Sequence, residues 1–331
     1  SLKIEMLNRD AIMGMNEFSI TRHIARQFPK NQIIADMMRQ ENIYTPKYKT
    51  VKLYFNGNDW GPMIIEEQPS KYYSESRKLK HTFFTRLGNE DWRVYGDLVK
   101  NKVSKINALE IAKYQGIFEI DVFNQAKLNY DYNKNLLSRI KNFQYLIIQN
   151  PNNKDISNFI DKKSFAISLA YSLIFGDGHS LSKANARYYI NPYTSLIHII
   201  PSDHEYRTFD VTDINKIDKF LDKIPKYLVF LSRDNEFKEY FSNHINYLGK
   251  DFVNKIEDHL ETNCKPFGKV CHTQFLIEKT KIIKNFSYIY NNLNKVTEIL
   301  NNKNFKNNIA SNISLKNENY LTLINKFLYI R

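Results

Sequence analysis

Apolar and polar positions alternate from residue 51, where Val51, Leu53 and Phe55 are separated by Lys52 and Tyr54. Asn56-Gly57 follows, a pair that accepts the positive φ angles of a tight turn. Beyond Trp60-Gly61-Pro62 the run Met63-Ile64-Ile65 leads into Glu66-Glu67. Residues 51–67 are therefore predicted to form a β-hairpin. A second hairpin is predicted further along: residues 186–190 are β-prone, Asn191-Pro192-Tyr193-Thr194-Ser195 is turn chemistry, and 196–200 is β-branched and apolar.

Elsewhere the period lengthens to three and four. Between 162 and 175 the apolar pairs Phe165-Ala166, Leu169-Ala170 and Leu173-Ile174 mark a helix with one buried face. Asp161 is its expected N-cap and Gly176 its stop. Another helix is predicted over 32–41. From Ile214 onward the pattern is mostly helical, including 220–230, 252–260 and 275–300, and offers scaffold and substrate-docking surface rather than chemistry. A unit boundary is expected at Gln68-Pro69-Ser70, where strand gives way to a charged helical pattern, and a second near 209–213.

Composition narrows the function classes. A chain of 331 residues with 42% hydrophobic and 14% aromatic content is too apolar for disorder. Only 10 Gly and 9 Pro, with no internal repeat, argue against a string of small modules. The net charge of +13 invites nucleic acid as a partner, but the basic residues are spread along the chain and match no finger, RNA-recognition or helix-turn-helix signature. Abundant Lys, Asn, Ile and Tyr are also what A/T-rich codons produce. Nucleic acid is not the expected partner, although a basic enzyme still attracts ATP and acidic substrates.

The chemistry concentrates between Gly176 and Asp203. Asp177 and His179 follow the helix stop, Asn185 enters the second hairpin, and Asp203 leaves it beyond Pro201. A hairpin brings its outer ends together, so Asn185 and Asp203 are expected close to one another. One Asp to align a hydroxyl, with an Asn and a second Asp to hold Mg²⁺, is the arrangement of phosphoryl transfer. The plainer alternative is a surface hairpin whose Asn and Asp only cap turns.

Taken in order, these motifs resemble the spore-coat CotH kinase-like family. Phe55, Asn56, Gly57, Gly61 and Glu66 or Glu67 fit its early hairpin. Asn185, Arg187, Tyr188, Tyr189, Asn191, Pro192 and Asp203 fit its later one. Gly14-Met15 through Phe18-Ser19 and Arg26, then Pro46 and Tyr48, fit the lead into the first hairpin, and Gly176, His179 and Leu181 fit the loop before the second. The resemblance spans residues 3 to 207.

It implies an α+β, atypical bilobal protein-kinase-like fold with a small β-rich lobe carrying one helix and a larger, mainly helical lobe. Residues 1–69 would form the small lobe and 70–331 the large one, with the catalytic loop and metal hairpin at 176–207 and a helical part at 210–331. The implied activity is ATP- and Mg²⁺-dependent (or Mn²⁺-dependent) phosphoryl transfer to Ser or Thr of a protein substrate, acidic or Ser/Thr-rich. Asp203 would be the main metal ligand and Asn185 the second. Asp177 would orient or deprotonate the acceptor hydroxyl, Arg26 would face the phosphates, and Glu66 or Glu67 would lie beside the adenine.

Three departures keep alternatives open. Asp177 precedes Asn185 by eight positions, a longer interval than kinases use, so His179, six before Asn185, competes with it as base. Asn31 and Gln32 stand where the family's first helix often carries a Glu. The chain also begins after the family's usual Lys-Gly-Asp strand, so the small lobe is expected to be incomplete. A pseudokinase or non-catalytic scaffold, and AMP transfer, are the competing readings. Cys264 and Cys271 are compatible with free thiols, a disulfide, or a zinc site with His259 and His272. A disulfide would favour an exported or cell-surface protein. No signal peptide and no 18-residue apolar run is visible.

Overall fold

The protein is described from a computed structural model covering residues 2–7, 10–23, 29–79, 83–87, 100–102, 104, 120–123, 131–182, 185–204, 208–264 and 267–305. It is α+β, with two four-stranded antiparallel sheets and a larger helical part.

The first sheet is drawn from β1 (Leu2–Glu5), β2 (Glu17–Arg22), β3 (Tyr48–Phe55) and β4 (Asn58–Glu67), in the order β1-β2-β4-β3. The β3–β4 hairpin closes where expected, and Asn56 and Gly57 take φ of 49° and 78°. Two consecutive positive φ values match the right-handed twist of the strands they join. Helix α1 (Lys30–Gln40) begins two residues before its predicted start. It turns Ile33, Ile34, Met37 and Met38 into the main core, alongside helices from the other end of the chain.

Ser70 caps the short helix α2 (Lys71–Ser76), its hydroxyl accepting from the Tyr73 amide, so the strand does end at the expected boundary. The second sheet orders β6-β5-β7-β8, with β5 at Phe84–Leu87, β6 at Ile120–Phe123, β7 at Arg187–Ile190 and β8 at Ile197–Ile200. In the β7–β8 turn the Asn191 side chain accepts from the Tyr193 amide at 2.9 Å. Helix α3 (Asp131–Gln149) ties this turn down, since Arg139 Nε donates to the Ser195 carbonyl at 2.6 Å.

Helix α4 (Lys162–Phe175) has the predicted ends: Asp161 Oδ1 accepts from the Ser164 amide at 2.7 Å, and Gly176 is left-handed at φ 56°. Its burial differs from expectation. Every residue from Ser164 to Phe175 is buried, not one face. The serines misled the periodicity: Ser168 Oγ donates to the Ser164 carbonyl at 2.7 Å, and Ser172 Oγ to the Asp177 carbonyl. A hydroxyl satisfied by the backbone can be buried like an alanine.

The remaining α-helices among the described residues are α5 (Ile214–Leu221), α6 (Lys226–Leu231), α7 (Asn235–Leu248), α8 (Phe252–Cys264), α9 (Lys269–Asn291) and α10 (Leu293–Asn302). The continuous helices predicted over 220–230 and 275–300 are each broken, at Pro225 and at Asn292. Proline has no N–H to continue the preceding helix.

Cys264 is disulfide-bonded, which removes the free-thiol and zinc alternatives for it; the chain's other cysteine is Cys271. Cys264 packs on Ala35, Tyr48 and Ile64. Beside it Gln32 donates to Asn263 and accepts from Thr50 Oγ1 at 3.2 Å. The end of α8 thus braces both α1 and β3. No helix among the described residues is long and apolar enough to cross a membrane.

Candidate functional site

The two hairpins meet at their open ends. Tyr48 starts β3 opposite Glu66 on β4, and its hydroxyl donates to Glu66 Oε1 at 3.4 Å. The same hydroxyl accepts from the backbone N–H of Asp203 at 3.5 Å. Asp203 follows β8, whose strand register sets Arg187 opposite Ile200. One step further out, Ser202 Oγ donates to the Asn185 carbonyl, so Asn185 and the Asp203 segment lie side by side as the hairpin geometry requires.

Three of the expected site residues come together here. Asn185 Nδ2 donates to the His179 carbonyl at 3.1 Å. His179 Nε2 lies 3.6 Å from Asp203 Oδ2, with both side chains reaching solvent. Asp203 has φ of 56°, a left-handed conformation that costs a residue with a Cβ about 1 kcal/mol. Arg187 joins the group. Its Nη1 donates to the Asn185 carbonyl at 2.5 Å, and its guanidinium stands 5.5 Å from the Phe123 ring. Burial and then the charge of Arg86 lower its pKa, while Tyr48, Glu66 and Asp203 act in the opposite sense. A guanidinium remains a cation under any such shift.

Asp177 is elsewhere. Its side chain is wholly buried, and Oδ1 accepts from the amides of His179 at 3.0 Å and Ser180 at 3.3 Å. Oδ2 pairs with His204 Nδ1 at 2.7 Å, and the His204 side chain is buried as completely. The sequence favours a carboxylate at 177 that meets an acceptor hydroxyl. The fold instead turns that carboxylate inward and leaves the imidazole of His179 exposed beside Asp203.

The paired acids divide in the same way. Successive strand residues point to opposite faces, and Glu66 faces Tyr48 while Glu67 faces Arg77. Arg77 grips Glu67 with two hydrogen bonds of 2.6 and 3.0 Å, and the Lys47 amide adds a third at 3.0 Å. Arg77 also reaches the Thr45 carbonyl at 3.0 Å and lies over the Tyr73 ring at 3.7 Å. Glu67 fastens the chain where it leaves the first sheet. Arg26, the expected phosphate contact, lies outside the described residues.

His204 and Arg187 carry site geometry to which the sequence assigns no role. Arg187 has a readable signal, a lone cation at the head of the otherwise apolar and aromatic strand Tyr188-Tyr189-Ile190. His204 has only its adjacency to Asp203, because its partner lies 27 residues away.

Among the described residues no group of three or more His, Cys, Asp or Glu side chains has metal-binding geometry. Mg²⁺ does not require one. It commonly keeps its waters and takes one or two protein oxygens together with substrate phosphates. The Asp203 carboxylate and the Asn185 amide oxygen are hard donors of the type such an ion takes.

No protein-family model matches the chain, and no curated protein matches it.

Proposed function

We propose that the chain is an ATP- and Mg²⁺-dependent phosphotransferase with a bilobal, protein-kinase-like fold, akin to CotH kinases, acting on a Ser or Thr hydroxyl of a protein. The main support is the meeting of two hairpins at Asp203. The first sheet contributes Tyr48 and Glu66 to this junction, and the second contributes Asn185, Arg187 and Asp203. An Asp just beyond a strand, an Asn at the start of its partner strand, and a cation beside both form a set suited to triphosphate and metal.

Asp203 and Asn185 would hold the metal, which when bound offsets phosphate charge. Arg187 would engage phosphate oxygens. Glu66 would stay hydrogen-bonded to Tyr48 at the first-sheet wall. His179 takes the role of base in preference to Asp177, since its imidazole is exposed beside Asp203 and histidine is the side chain most often used as a general base.

Calorimetry with ATP and Mg²⁺ or Mn²⁺ on wild type and Asp203→Ala tests the site. Wild type should bind in a metal-dependent way, and the variant should lose more than about tenfold in affinity, as expected for removal of a ligand. Equal affinity in the two proteins would remove Asp203 from the site. No binding at millimolar ATP favours a pseudokinase or scaffold. If binding holds, product mass separates phosphoryl from AMP transfer.

A further inference from the structure

We infer that the buried Asp177–His204 pair is a positioning device that sets the Asp203 carboxylate, an inference that rests on Asp203 being the metal ligand proposed above. Asp177 is the knot of the region. Its N–H donates to the Ser172 carbonyl at 2.8 Å, and its own carbonyl accepts from Ser172 Oγ, which fixes it to the end of α4. Its Oδ1 gathers the amides of His179 and Ser180, shaping the loop that carries the exposed imidazole. Its Oδ2 reaches across to His204, the residue directly after Asp203. One carboxylate therefore joins a rigid helix, the loop of the proposed base and the segment of the proposed metal ligand.

Asp203 needs such a hold. Its left-handed backbone is disfavoured for a residue with a Cβ and persists only where its surroundings over-determine it. On its carbonyl side the neighbour His204 is locked into the core. On its amide side the hydrogen bond to Tyr48 is long, at 3.5 Å.

The pair also has a defined proton arrangement. Opposite an ionised Asp177, which can only accept, His204 Nδ1 is the donor, and Nε2 is buried without a hydrogen-bond partner among the described residues. In Asp177→Asn the amide N–H₂ would face Nδ1, and the imidazole proton would have to move to Nε2, where it finds no acceptor. In His204→Asn, by contrast, the side-chain N–H₂ sits near the place of Nδ1 and keeps the bond. His204→Leu fills similar space and cannot donate.

The experiment compares wild type, Asp177→Asn, His204→Asn and His204→Leu as full chains, reading Mn²⁺ affinity with and without ATP and amide hydrogen exchange at 178–182 and 202–204. His204→Leu and Asp177→Asn should each weaken Mn²⁺-ATP binding about tenfold, the lower range for an outer-sphere support. Both should speed exchange at those amides, with the helices beyond α4 unchanged. His204→Asn should stay within about twofold of wild type on both readouts, within the ordinary scatter of a retained interaction. If Asp177→Asn does not fold, the two His204 variants decide the matter. Should His204→Leu match wild type in affinity and exchange, or His204→Asn be as damaged as His204→Leu, the positioning role is wrong. Should wild type bind neither Mn²⁺ nor ATP, the phosphotransferase reading falls, and the exchange contrast alone decides whether the pair holds the Asp203 segment.

Discussion

The two hairpins supply the two walls that meet at the proposed site and are anchored in opposite ways. The β3–β4 hairpin runs its closed end into solvent, where Tyr54, Phe55 and Trp60 are 59%, 46% and 49% exposed. Its fastening is at the open end, through Glu67 with Arg77 and through Tyr48 against Cys264. The β7–β8 hairpin is sunk along its length. Tyr188, Ile190, Ile197 and Ile199 are all in the main core, and the Tyr188 hydroxyl meets that of Tyr227 at 3.0 Å. Even its turn is tied by Arg139. The proposed metal ligands thus stand on the fixed wall, while the first sheet contributes only the edge nearest its anchor. Sites built on packed elements hold their geometry better than sites on free ones.

The strongest way to break this contrast is at the footing of the fixed wall. Gly176 has φ of 56°, and a Cβ built there would lie 2.3 Å from the Phe209 carbonyl oxygen. The approach is held: the Phe209 amide donates to the Gly176 carbonyl at 3.1 Å, and buried Asn285 binds the carbonyls of both Ile174 and Phe209. Gly176→Ala should therefore cost about 3 kcal/mol in a urea titration, the sum of the left-handed penalty and backbone overpacking. It should weaken metal-dependent ATP binding as well. A loss under about 1 kcal/mol would mean that the α4 terminus yields readily and that the second wall is not fixed.

Acid should loosen the same footing by a smaller amount. His244 on α7 packs against Tyr171 of α4, with ring centroids 5.1 Å apart. Burial first, then Lys255 and Lys163, push its pKa down from 6.5 to about 4. In the folded protein the imidazole stays neutral while the unfolded chain takes up a proton below its ordinary value. Unfolding then binds a proton, so this contribution is complete above pH 6.5 and is lost as the pH falls toward 4. Between pH 7 and pH 5 the loss should be about 2 kcal/mol. His244→Phe should remove that part of the pH dependence, which urea titrations at the two pH values would show. An unchanged slope would assign the acid sensitivity elsewhere.

The same contrast explains how much could be read from the chain. Both hairpins were legible because their signals are local: Asn56-Gly57 for one turn, Asn191-Pro192 for the other, with β-branched or alternating flanks. The caps of α4 were legible for the same reason. Its all-round burial was not, since Ser164, Ser168 and Ser172, each satisfied by a backbone carbonyl, imitate a polar face. Asn185 and the Asp203 segment come together as hairpin closure predicts, and His179 joins them through its carbonyl and imidazole. The inward turn of Asp177 was hidden, because it depends on His204, whose pairing is a tertiary fact without local pattern. The hold on Glu67 was hidden in the same way, because it depends on Arg77, ten residues on. Local chemistry marks where a site can be, and the long-range partners decide which of its residues remain available.

The smallest expected effect lies at the free end of the first hairpin. Gly57 shares the left-handed geometry of Gly176, with φ of 78°, but a Cβ there would meet nothing within 4 Å. Gly57→Ala should cost only the backbone term, about 1 kcal/mol. Metal-dependent ATP affinity should remain within about twofold of wild type, because the anchors at Glu67 and Tyr48 lie at the other end of the strands. Two glycine-to-alanine changes of like φ would then differ by the presence or absence of a neighbour, a direct measure of how much firmer one wall is than the other. A fall in affinity comparable to that of Gly176→Ala would mean that the exposed tip closes over the nucleotide, and the first hairpin would have to be counted as a working part of the site along its whole length.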